Sequence, residues 1–440
     1  MKKICVIGLG FVGLTMALTL AKKGFKVCGI EKEESILKNL KKRKSHFFEP
    51  GINKLIANQI KKKNFYFSKK VPEENFDTYI ITVGTPLNSK FKINIDYIRK
   101  TIEQVSQKLK NGNLVILRST VAVGTTRKVV LPILKKSKKL FYLSFCPERT
   151  LEGKALKELL YLPQIIGGID NKSCELSKKL FNKITPDVFV TSSLETAEMI
   201  KLVDNANRDV FFSYANEIAY LCNGYGISAS EVITIGKKKY PRTNLPMPGL
   251  VGGPCLEKDP HILVQSSIKD NKVIPKLTQE ARNINENMPE QVVKYLKKFI
   301  QRKKINFNKK KLNILVCGLA FKGSPPTSDI RGSMAYRIIY FLKKNFIKSK
   351  ISGYDPMVSV KDKTTFKIAQ IKNLKKGINN SDIVLFLTNL KEFSLIKLDK
   401  LKSNKKPKII YDFWSNISNK SHEFKKQNFY ICLGNHIKFK

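Results

Sequence analysis

The sequence GGPCLEKDP at residues 252–260 sets a cysteine among glycines, unlike the usual setting of a buried core cysteine. Glycines give backbone access to Cys255, and the nearby cation of Lys258 favours the thiolate, which is the nucleophilic form. Asp259 could act as a base or position a water molecule. The pattern indicates a covalent nucleophile. A glycine-rich turn that holds a small apolar residue would have the same sequence pattern.

A lysine and an asparagine, Lys201 and Asn205, lie one helical turn apart in a stretch that is nearly free of glycine and proline. They share one helix face, among apolar neighbours. A cation and an amide donor that point into one site can stabilise a developing oxyanion. For this pair alone, an ordinary polar helix face is the better explanation.

Two carboxylates flank an arginine in CPERTLEG, residues 146–153, directly after an apolar run. Glu148 and Glu152 would share a face if this turn were helical. Burial of these charged groups beside Arg149 would cost free energy, which suggests a functional role if they are buried. A solvated helix start with acids near the helix dipole fits equally well, so both interpretations stay open.

The glycine cluster GLGFVG at residues 8–13 follows a short strand and opens an amphipathic helix. In a dinucleotide-binding turn, Gly8 allows the tight turn, Gly10 lets the backbone approach a pyrophosphate, and Gly13 allows close helix–strand packing. Glu31 follows the next strand, where its carboxylate would accept hydrogen bonds from ribose hydroxyls and repel a 2′-phosphate. The pattern predicts an NAD site.

Hydroxyl and glycine residues close two further strands of the same region. Thr82, Gly84 and Thr85 end one strand, and Ser119 and Thr120 end another. Ligands of open α/β sheets bind beyond the carboxyl ends of the strands, so these residues are candidate neighbours of a nicotinamide and its ribose. A strand-end turn or a helix cap is an equally good explanation for each of them singly.

A second strand-and-glycine pattern begins at residue 312 and carries two cations. Lys322 would lie at a strand end and Arg331 near a helix start, positions that suit phosphate binding. Both could also be two more basic residues of a basic protein.

The order of the elements predicts an α/β fold with two doubly wound Rossmann-like domains, joined by a central helical region with a long helix. Short apolar strands alternate with helical stretches before residue 192 and again after residue 312. We predict a Rossmann domain over 1–192, a helical region over 193–305 that carries the cysteine loop, and a second Rossmann-like domain over 306–440.

Composition excludes several classes of protein. A hydrophobic content of 42% in 440 residues supports full cores rather than disorder. The net charge of +47 comes from lysines scattered along the chain, and this scatter argues against a nucleic-acid partner. A compositional bias toward lysine on solvent-exposed surfaces explains the charge more simply. No apolar run approaches a membrane span, and no two cysteines have CxxC spacing. We therefore expect a cytoplasmic protein with reduced thiols, no membrane partner and no metal site.

Six motifs in order resemble the UDP-glucose/GDP-mannose dehydrogenase family over nearly the whole chain. They are GLGFVGL (8–14), STVAVGTT (119–126), CPERTLEG (146–153), AEMIKLVDNANRDVFFSYANE (197–217), VGGPCLEKDP (251–260) and GLAFKGSPPTSDIRGS (318–333). Members oxidise a sugar C6 alcohol to a carboxylate with two NAD. The resemblance implies an NAD-binding first domain, a central dimerisation region and a UDP-sugar-binding last domain.

The resemblance also implies roles for the residues. Cys255 would form a thiohemiacetal and then a thioester, Lys201 and Asn205 would hold the oxyanion, and Asp259 would position or activate water. The implied catalytic set is Cys255, Lys201, Asn205, Asp259, Thr120, Glu152 and Glu148. The implied cofactor contacts are Gly8, Gly10, Phe11, Val12, Gly13, Glu31, Thr82, Gly84, Thr85, Ser119, Thr120 and Arg331. The implied substrate contacts are Glu148, Arg149, Lys201, Asn205, Arg242, Gly252 and Lys322.

Departures from the family pattern bear on the sugar. The CPER turn resembles the N-acetylhexosamine branch, including UDP-N-acetylmannosamine dehydrogenases, whereas GGPCLEKDP is closer to the UDP-glucose type. We expect a UDP-N-acetylhexosamine, with UDP-glucose next and GDP-mannose third. The family further implies a homodimer or a higher homo-oligomer, and products that feed surface polysaccharides.

A single-step hydroxyacid-type dehydrogenase is the main competing function. It would share the glycine turn and a helical Lys-Asn pair, but it would reduce one NAD per substrate and would not need Cys255.

Overall fold

A computed structural model describes residues 2–88, 91–305, 307, 311–398, 408–417 and 428–434. The chain divides into two compact units. Unit 1 comprises Met1–Asn205 and Lys258–Ile274, and unit 2 comprises Ala206–Glu257 and Pro275–Lys440. The three-region division expected from the sequence stays a prediction.

Unit 1 is built on a sheet whose described strands follow the order β3-β2-β1-β4-β5-β6-β7-β8. The strands are β1 (Lys3–Ile7), β2 (Lys26–Ile30), β3 (Phe65–Ser68), β4 (Thr78–Ile81), β5 (Asn113–Leu117), β6 (Phe141–Phe145), β7 (Gln164–Gly168) and β8 (Val188–Val190). The first six follow the Rossmann order, and β1 lies at the point where that order reverses. Ligand-binding turns are therefore expected at the carboxyl ends of β1 and β4.

One strand pair departs from the parallel arrangement expected from the sequence. β7 runs antiparallel to β6, with Ser144 opposite Gly168 and Phe145 opposite Gly167. A parallel neighbour needs a crossover that spans the sheet. The connection here holds the CPER turn and only one four-residue helix, Ala155–Glu158, so it does not supply such a crossover.

Unit 2 contains a second, parallel sheet with the order β11-β10-β9-β12-β13-β14 among the described strands. These strands are β9 (Leu312–Cys317), β10 (Ser349–Tyr354), β11 (Ala369–Gln370), β12 (Ile383–Phe386), β13 (Ile409–Asp412) and β14 (Phe429–Cys432). This order repeats the Rossmann pattern of unit 1, so the predicted α/β class with two doubly wound sheets is confirmed.

The described helices flank these sheets or belong to the central region. They are α1 (Phe11–Lys22), α2 (Glu34–Lys41), α3 (Ile52–Lys61), α4 (Asp96–Lys108), a π-helical turn (Thr126–Val130), α5 (Leu131–Lys135), α6 (Ala155–Glu158), α7 (Asn171–Phe181), α8 (Leu194–Tyr225), α9 (Ala229–Gly236), α10 (Asp259–Asn271), α11 (Lys276–Arg302), α12 (Met334–Asn345), α13 (Val360–Thr364), α14 (Leu374–Asn379) and α15 (Lys391–Ser394). The predicted long helix is α8, with 32 residues. Helix α11 continues through Pro289.

Each sheet packs against a buried apolar cluster on both of its faces. Successive strand residues point to opposite faces, so neighbouring residues of one strand join different clusters. In β1, Ile4 and Val6 join one buried cluster, and Cys5 and Ile7 join the other. Strand β9 divides its side chains between two clusters of unit 2 in the same way. The cores hold the strand ends rigidly, and the strand ends carry the polar groups described next.

Candidate active site

The glycine turn after β1 has the shape that a dinucleotide phosphate needs. Gly8 has a φ of +93°, and a β-carbon at Gly13 would lie 1.8 Å from the carbonyl oxygen of Gly8. A β-carbon at Gly10 would meet no atom within 4 Å, so a ligand can approach the backbone there. Phe11 and Val12 begin α1, whose first N–H groups have no partner within the helix. These residues fit the pyrophosphate of NAD.

The carboxylate of Glu31 is held by the same turn. Its Oε2 accepts a hydrogen bond from the N–H of Leu9 at 2.9 Å, and its Oε1 accepts one from the N–H of Glu33 at 3.0 Å. Glu31 is buried directly after β2. Each carboxylate oxygen retains a second lone pair, so the group can still accept a ribose hydroxyl.

Hydroxyl groups tie the ends of β1, β4 and β5 together. Thr82 Oγ1 donates to the carbonyl of Gly8 at 2.6 Å, and Thr85 Oγ1 donates to that of Thr120 at 2.7 Å. Ser119 Oγ donates to the carbonyl of Val83 at 2.6 Å. The three predicted strand-end groups therefore order the rim of the sheet. A β-carbon at Gly84, in the same rim, would meet no atom within 4 Å.

Unit 1 also gathers an amide, a carboxylate and a cation. Asn205 Nδ2 donates to Asp259 Oδ2 at 2.5 Å, and both side chains are buried. Lys258 Nζ lies 3.7 Å from Asp259 Oδ1 and donates to Thr85 Oγ1 at 3.0 Å. Asp259 Oδ1 accepts no hydrogen bond from any described group. Lys201 lies one helical turn before Asn205 and is 9% exposed. This cluster can stabilise an oxyanion and orient a water molecule.

Glu148 is a fixed carboxylate rather than a mobile one. Its Oε2 accepts from Arg118 Nη2 at 2.7 Å, and its Oε1 accepts from the N–H groups of Arg149 and Thr150. Burial alone would raise the pKa of Glu148, but the charge and hydrogen bond of Arg118, together with hydrogen bonds from Thr150, outweigh burial and lower it. The group is therefore ionised and turned toward Arg118.

The CPER turn has no helical structure up to Leu151, so Glu148 and Glu152 do not share a helix face. Arg149 Nε donates to Asp204 of α8 at 2.8 Å. Glu152 is half-buried. The turn thus connects β6 to the helix that carries Lys201.

Glu198 is a buried acid that the sequence analysis missed. It lies one helical turn before Lys201 and accepts from Gly124 N at 2.5 Å, Thr126 N at 2.8 Å and Thr126 Oγ1 at 2.6 Å. Burial raises its pKa from 4.5 to about 7, although those hydrogen bonds act in the opposite direction. The signal for it was its i, i+3 spacing from Lys201, which places both on one helix face.

The cysteine loop belongs to unit 2, whereas Lys201, Asn205 and Asp259 belong to unit 1. All eight cysteines lie in the described part of the chain, and Cys255 alone is exposed. The N–H of Gly253 donates to the carbonyl of Gly332 at 2.8 Å. The loop therefore packs directly on the segment that follows β9.

That segment carries the predicted phosphate-binding cations of unit 2. Lys322 Nζ lies 5.4 Å from the ring centroid of Phe321, and a β-carbon at Gly253 would lie 2.4 Å from the same ring. Arg331 forms an ion pair with Asp329 at 2.5 Å. A β-carbon at Gly252 would lie 2.2 Å from the carbonyl oxygen of Gly332. Unit 2 thus brings the cysteine loop beside the segment that carries Lys322 and Arg331.

Arg242 is exposed, between α9 and the cysteine loop. Its Nε donates to the hydroxyl of Tyr240 at 3.1 Å, and its guanidinium lies over the same ring at 4.8 Å.

Three family models match the chain in the order of these sites. Residues 2–185 match the NAD binding domain of the UDP-glucose/GDP-mannose dehydrogenase family, residues 195–287 match its central domain, and residues 315–419 match its UDP binding domain. The chain belongs to the UDP-glucose/GDP-mannose dehydrogenase family. It is an NAD-dependent oxidoreductase, and the glycine turn of unit 1 lies in its NAD-binding domain.

Named relatives cover nearly all of this dehydrogenase. It is 34% identical over 419 residues to a UDP-N-acetyl-D-mannosamine dehydrogenase from Methanococcus maripaludis, with 93% of this chain and 92% of that protein covered. It is 33% identical over 419 residues to a protein of the same name from Campylobacter jejuni, with 91% and 98% covered. A solved UDP-D-ManNAc dehydrogenase from Pyrococcus horikoshii has a TM-score of 0.88 at 29% identity, with 99% of each chain covered.

The UDP binding domain of the dehydrogenase supports a UDP-sugar as its substrate. Among the described residues, no helix is both long enough and apolar enough to cross a lipid bilayer.

Proposed function

We propose that this enzyme oxidises C6 of UDP-N-acetyl-D-mannosamine, or of another UDP-N-acetylhexosamine, to the carboxylate. The observation that carries the proposal is the exposed Cys255 on a glycine loop that packs against Gly332. Gly332 lies in the segment that matches the UDP binding domain. The names of the relatives and the CPER turn support the N-acetylhexosamine. The nucleophile loop resembles that of UDP-glucose enzymes and makes UDP-glucose the second candidate.

The proposed chemistry conserves atoms and electrons over two oxidations. Bound NAD serves as the hydride acceptor each time. The first oxidation removes a hydride and a proton from the C6 alcohol and leaves an aldehyde. The thiolate of Cys255 adds to the aldehyde carbon, and the resulting oxyanion takes up a proton to give the thiohemiacetal. Loss of that proton and of a second hydride from C6 leaves a thioester. Water then cleaves the C–S bond, which releases the carboxylate and restores the thiol.

The remaining roles are stabilisation of the oxyanion and hydrolysis of the thioester. Lys201 and Asn205 stabilise the oxyanion that forms at C6, because a buried cation and a fixed amide need no reorganisation during the reaction. Asp259 orients or activates the hydrolytic water through the oxygen that accepts no hydrogen bond. Thr120 and Glu152 help to hold that water, and Glu148 fixes the turn that contacts the sugar.

Two of the predicted cations bind the charged ends of the two ligands. Lys322 contacts the UDP-sugar, and Arg331 contacts the cofactor phosphates, each with the charge that a diphosphate requires. Arg242 reaches the sugar or its diphosphate, and Gly252 leaves room for the sugar. The scattered positive charge of the chain assists both anionic ligands.

The enzyme acts as a homodimer or a higher homo-oligomer in the cytoplasm. Reduced cytoplasmic thiols keep Cys255 reactive. Phe211, Tyr214, Leu221 and Tyr225 are exposed on the part of α8 that belongs to unit 2, and they form an apolar face that a second copy would cover.

The test is to count NADH formed per sugar consumed with UDP-N-acetylmannosamine, UDP-N-acetylglucosamine, UDP-glucose and GDP-mannose. Two NADH with one of these sugars would support the four-electron reaction and identify the substrate. The variant Cys255→Ser should lose the second oxidation, and Cys174→Ser, which changes a half-buried cysteine of α7, should retain both. One NADH per substrate, with full activity in Cys255→Ser, would instead favour the single-step hydroxyacid reaction.

A further inference from the structure

A buried arginine of α11 contacts the cysteine loop on both sides of Cys255. Arg282 Nη1 donates to the carbonyl of Leu256 at 2.8 Å, and its Nη2 donates to the carbonyl of Val251 at 3.4 Å. The same Nη1 lies 2.7 Å from Asp209 Oδ1 of α8. Arg282 is 1% exposed. One rigid guanidinium therefore bridges the two ends of residues 251–256.

Amide side chains extend this support to the start of the loop. Asn216 accepts from the N–H of Gly249 at 2.9 Å and donates to the carbonyl of Gly249 at 3.1 Å. Asn216 also donates to Asn285 at 2.9 Å, and Asn285 donates to Asp209 Oδ1 at 2.9 Å. The loop is thus held through its backbone by side chains of α8 and α11.

Burial of a guanidinium is costly unless carboxylates and acceptors surround it. Arg282 has Asp209 and, at 3.3 Å from Nε, Glu286 as charged partners. Its remaining hydrogen bonds go to the loop carbonyls. A structural pair alone would not require bonds to both sides of an exposed cysteine, and a lysine could not form this fork of donors.

We infer that Arg282 is a positioning residue for Cys255, because it fixes the backbone on both sides of the nucleophile. This inference rests on the proposed role of Cys255. A thiolate must meet C6 within a narrow range of distance and angle, and a displacement of about 1 Å can lower a rate by about a hundredfold. Arg282 acts through the loop and touches neither substrate nor cofactor.

The variant Arg282→Lys keeps the charge and removes the fork. We expect kcat to fall by about tenfold or more, with KM for the UDP-sugar within about threefold of the wild type. The alkylation rate of Cys255 by iodoacetamide, followed by mass spectrometry of its peptide, should change by a similar factor. The matched control is Arg337→Lys. Arg337, on α12, donates to the carbonyl of Glu286 on α11, the helix that carries Arg282, and no hydrogen bond to the loop is found for it among the described residues.

A second readout is independent of activity. Trp414 is the only tryptophan of the chain, and a β-carbon at Gly249 would lie 2.5 Å from its ring. Its fluorescence therefore reports on the start of the loop. We expect the quenching of Trp414 by acrylamide to rise in Arg282→Lys and to stay unchanged in Arg337→Lys.

Folded Arg282→Lys with wild-type kcat and wild-type alkylation would overturn the inference. A lowered melting temperature with unchanged alkylation and quenching would also overturn it, because that result assigns Arg282 a structural role only. If Arg282→Lys does not fold, Asp209→Glu keeps both charges, shifts the guanidinium, and should give the same loop signatures. A wild type that forms one NADH per sugar would reject the proposed function, while alkylation and quenching would still decide whether Arg282 fixes the loop.

Discussion

The side-chain amide of Asn205 donates to the carboxylate of Asp259 at 2.5 Å, and this bond joins α8 to the first residue of α10. The two residues are far apart in the sequence, yet both are buried. The bond occupies one carboxylate oxygen, and the other accepts no hydrogen bond from described groups. Asp259 is therefore oriented by Asn205 and can still accept a proton or a water hydrogen bond.

Replacement of Asp259 by Asn should block hydrolysis of the acyl-enzyme. The amide cannot accept a proton, and a general base contributes about a hundredfold or more to such a step. We expect a burst of NADH followed by slow turnover, with the acyl group retained on Cys255 and visible as added mass. The control Asp170→Asn changes an acid at the start of α7 and preserves its cap. Steady turnover at the wild-type rate in Asp259→Asn would contradict the assignment.

The methyl group of Gly10→Ala should weaken NAD binding without unfolding unit 1. A β-carbon there meets no protein atom within 4 Å, but it would occupy the space through which the pyrophosphate approaches. We expect KM for NAD to rise about tenfold, or about 1.4 kcal/mol of binding free energy, at an unchanged melting temperature. Gly236→Ala, at the end of α9 and also in open space, should change neither quantity. A normal KM in Gly10→Ala would place the phosphates elsewhere.

The parts of the fold that the sequence predicted best are those with local signals. The turn at Gly8, Gly10 and Gly13 was predictable because a left-handed φ and a close helix–strand contact both demand glycine. The long helix α8 was predictable because no glycine or proline interrupts it before Gly224. Strand β3, Phe65–Ser68, lies at the edge of its sheet and was missed, because three of its four residues are only half-buried. The equally short strand β4 is buried throughout, so its apolar run is easier to recognise.

The parts that the sequence did not predict depend on tertiary contacts. Arg282 pairs with Asp209 across 73 positions, and no local pattern links the two. No local pattern links Glu148 to Arg118 either, although their side chains lie 2.7 Å apart. Residue types and spacing therefore predicted the candidate nucleophile and its helix, whereas the groups that hold them became visible only in the packed structure.

The variant Glu148→Gln should lower stability more than chemistry. It would leave Arg118 buried without its counter-charge, and loss of one partner of a buried ion pair costs about 3 kcal/mol or more. We expect a clearly lower free energy of unfolding, measured with urea. The double variant Arg118→Met with Glu148→Leu should recover part of that loss. A stable Glu148→Gln enzyme with a greatly reduced kcat would instead assign Glu148 a direct catalytic role.

Glu198 should make the stability of unit 1 depend on pH. Its pKa is raised from 4.5 to about 7 in the folded protein, so the folded state binds more protons than the unfolded state between these values. Stability therefore falls as pH rises from 4.5 to 7, by about 3 kcal/mol in total. We expect urea unfolding to show that the wild type loses this amount of unfolding free energy relative to Glu198→Gln as pH rises over that range. A constant difference would contradict the raised pKa.

The apolar face of α8 makes a prediction about assembly. Tyr214 and Leu221 are each just over half exposed and lie two helical turns apart on one face of the helix. A charge placed there would have to be buried if a second copy covers this face, and such burial is strongly unfavourable. The variants Tyr214→Lys and Leu221→Lys should therefore elute as monomers in size-exclusion chromatography with light scattering. The control Tyr340→Lys, on α12 and 61% exposed, should retain the wild-type mass. Unchanged assembly in both α8 variants would exclude this face as the contact between copies.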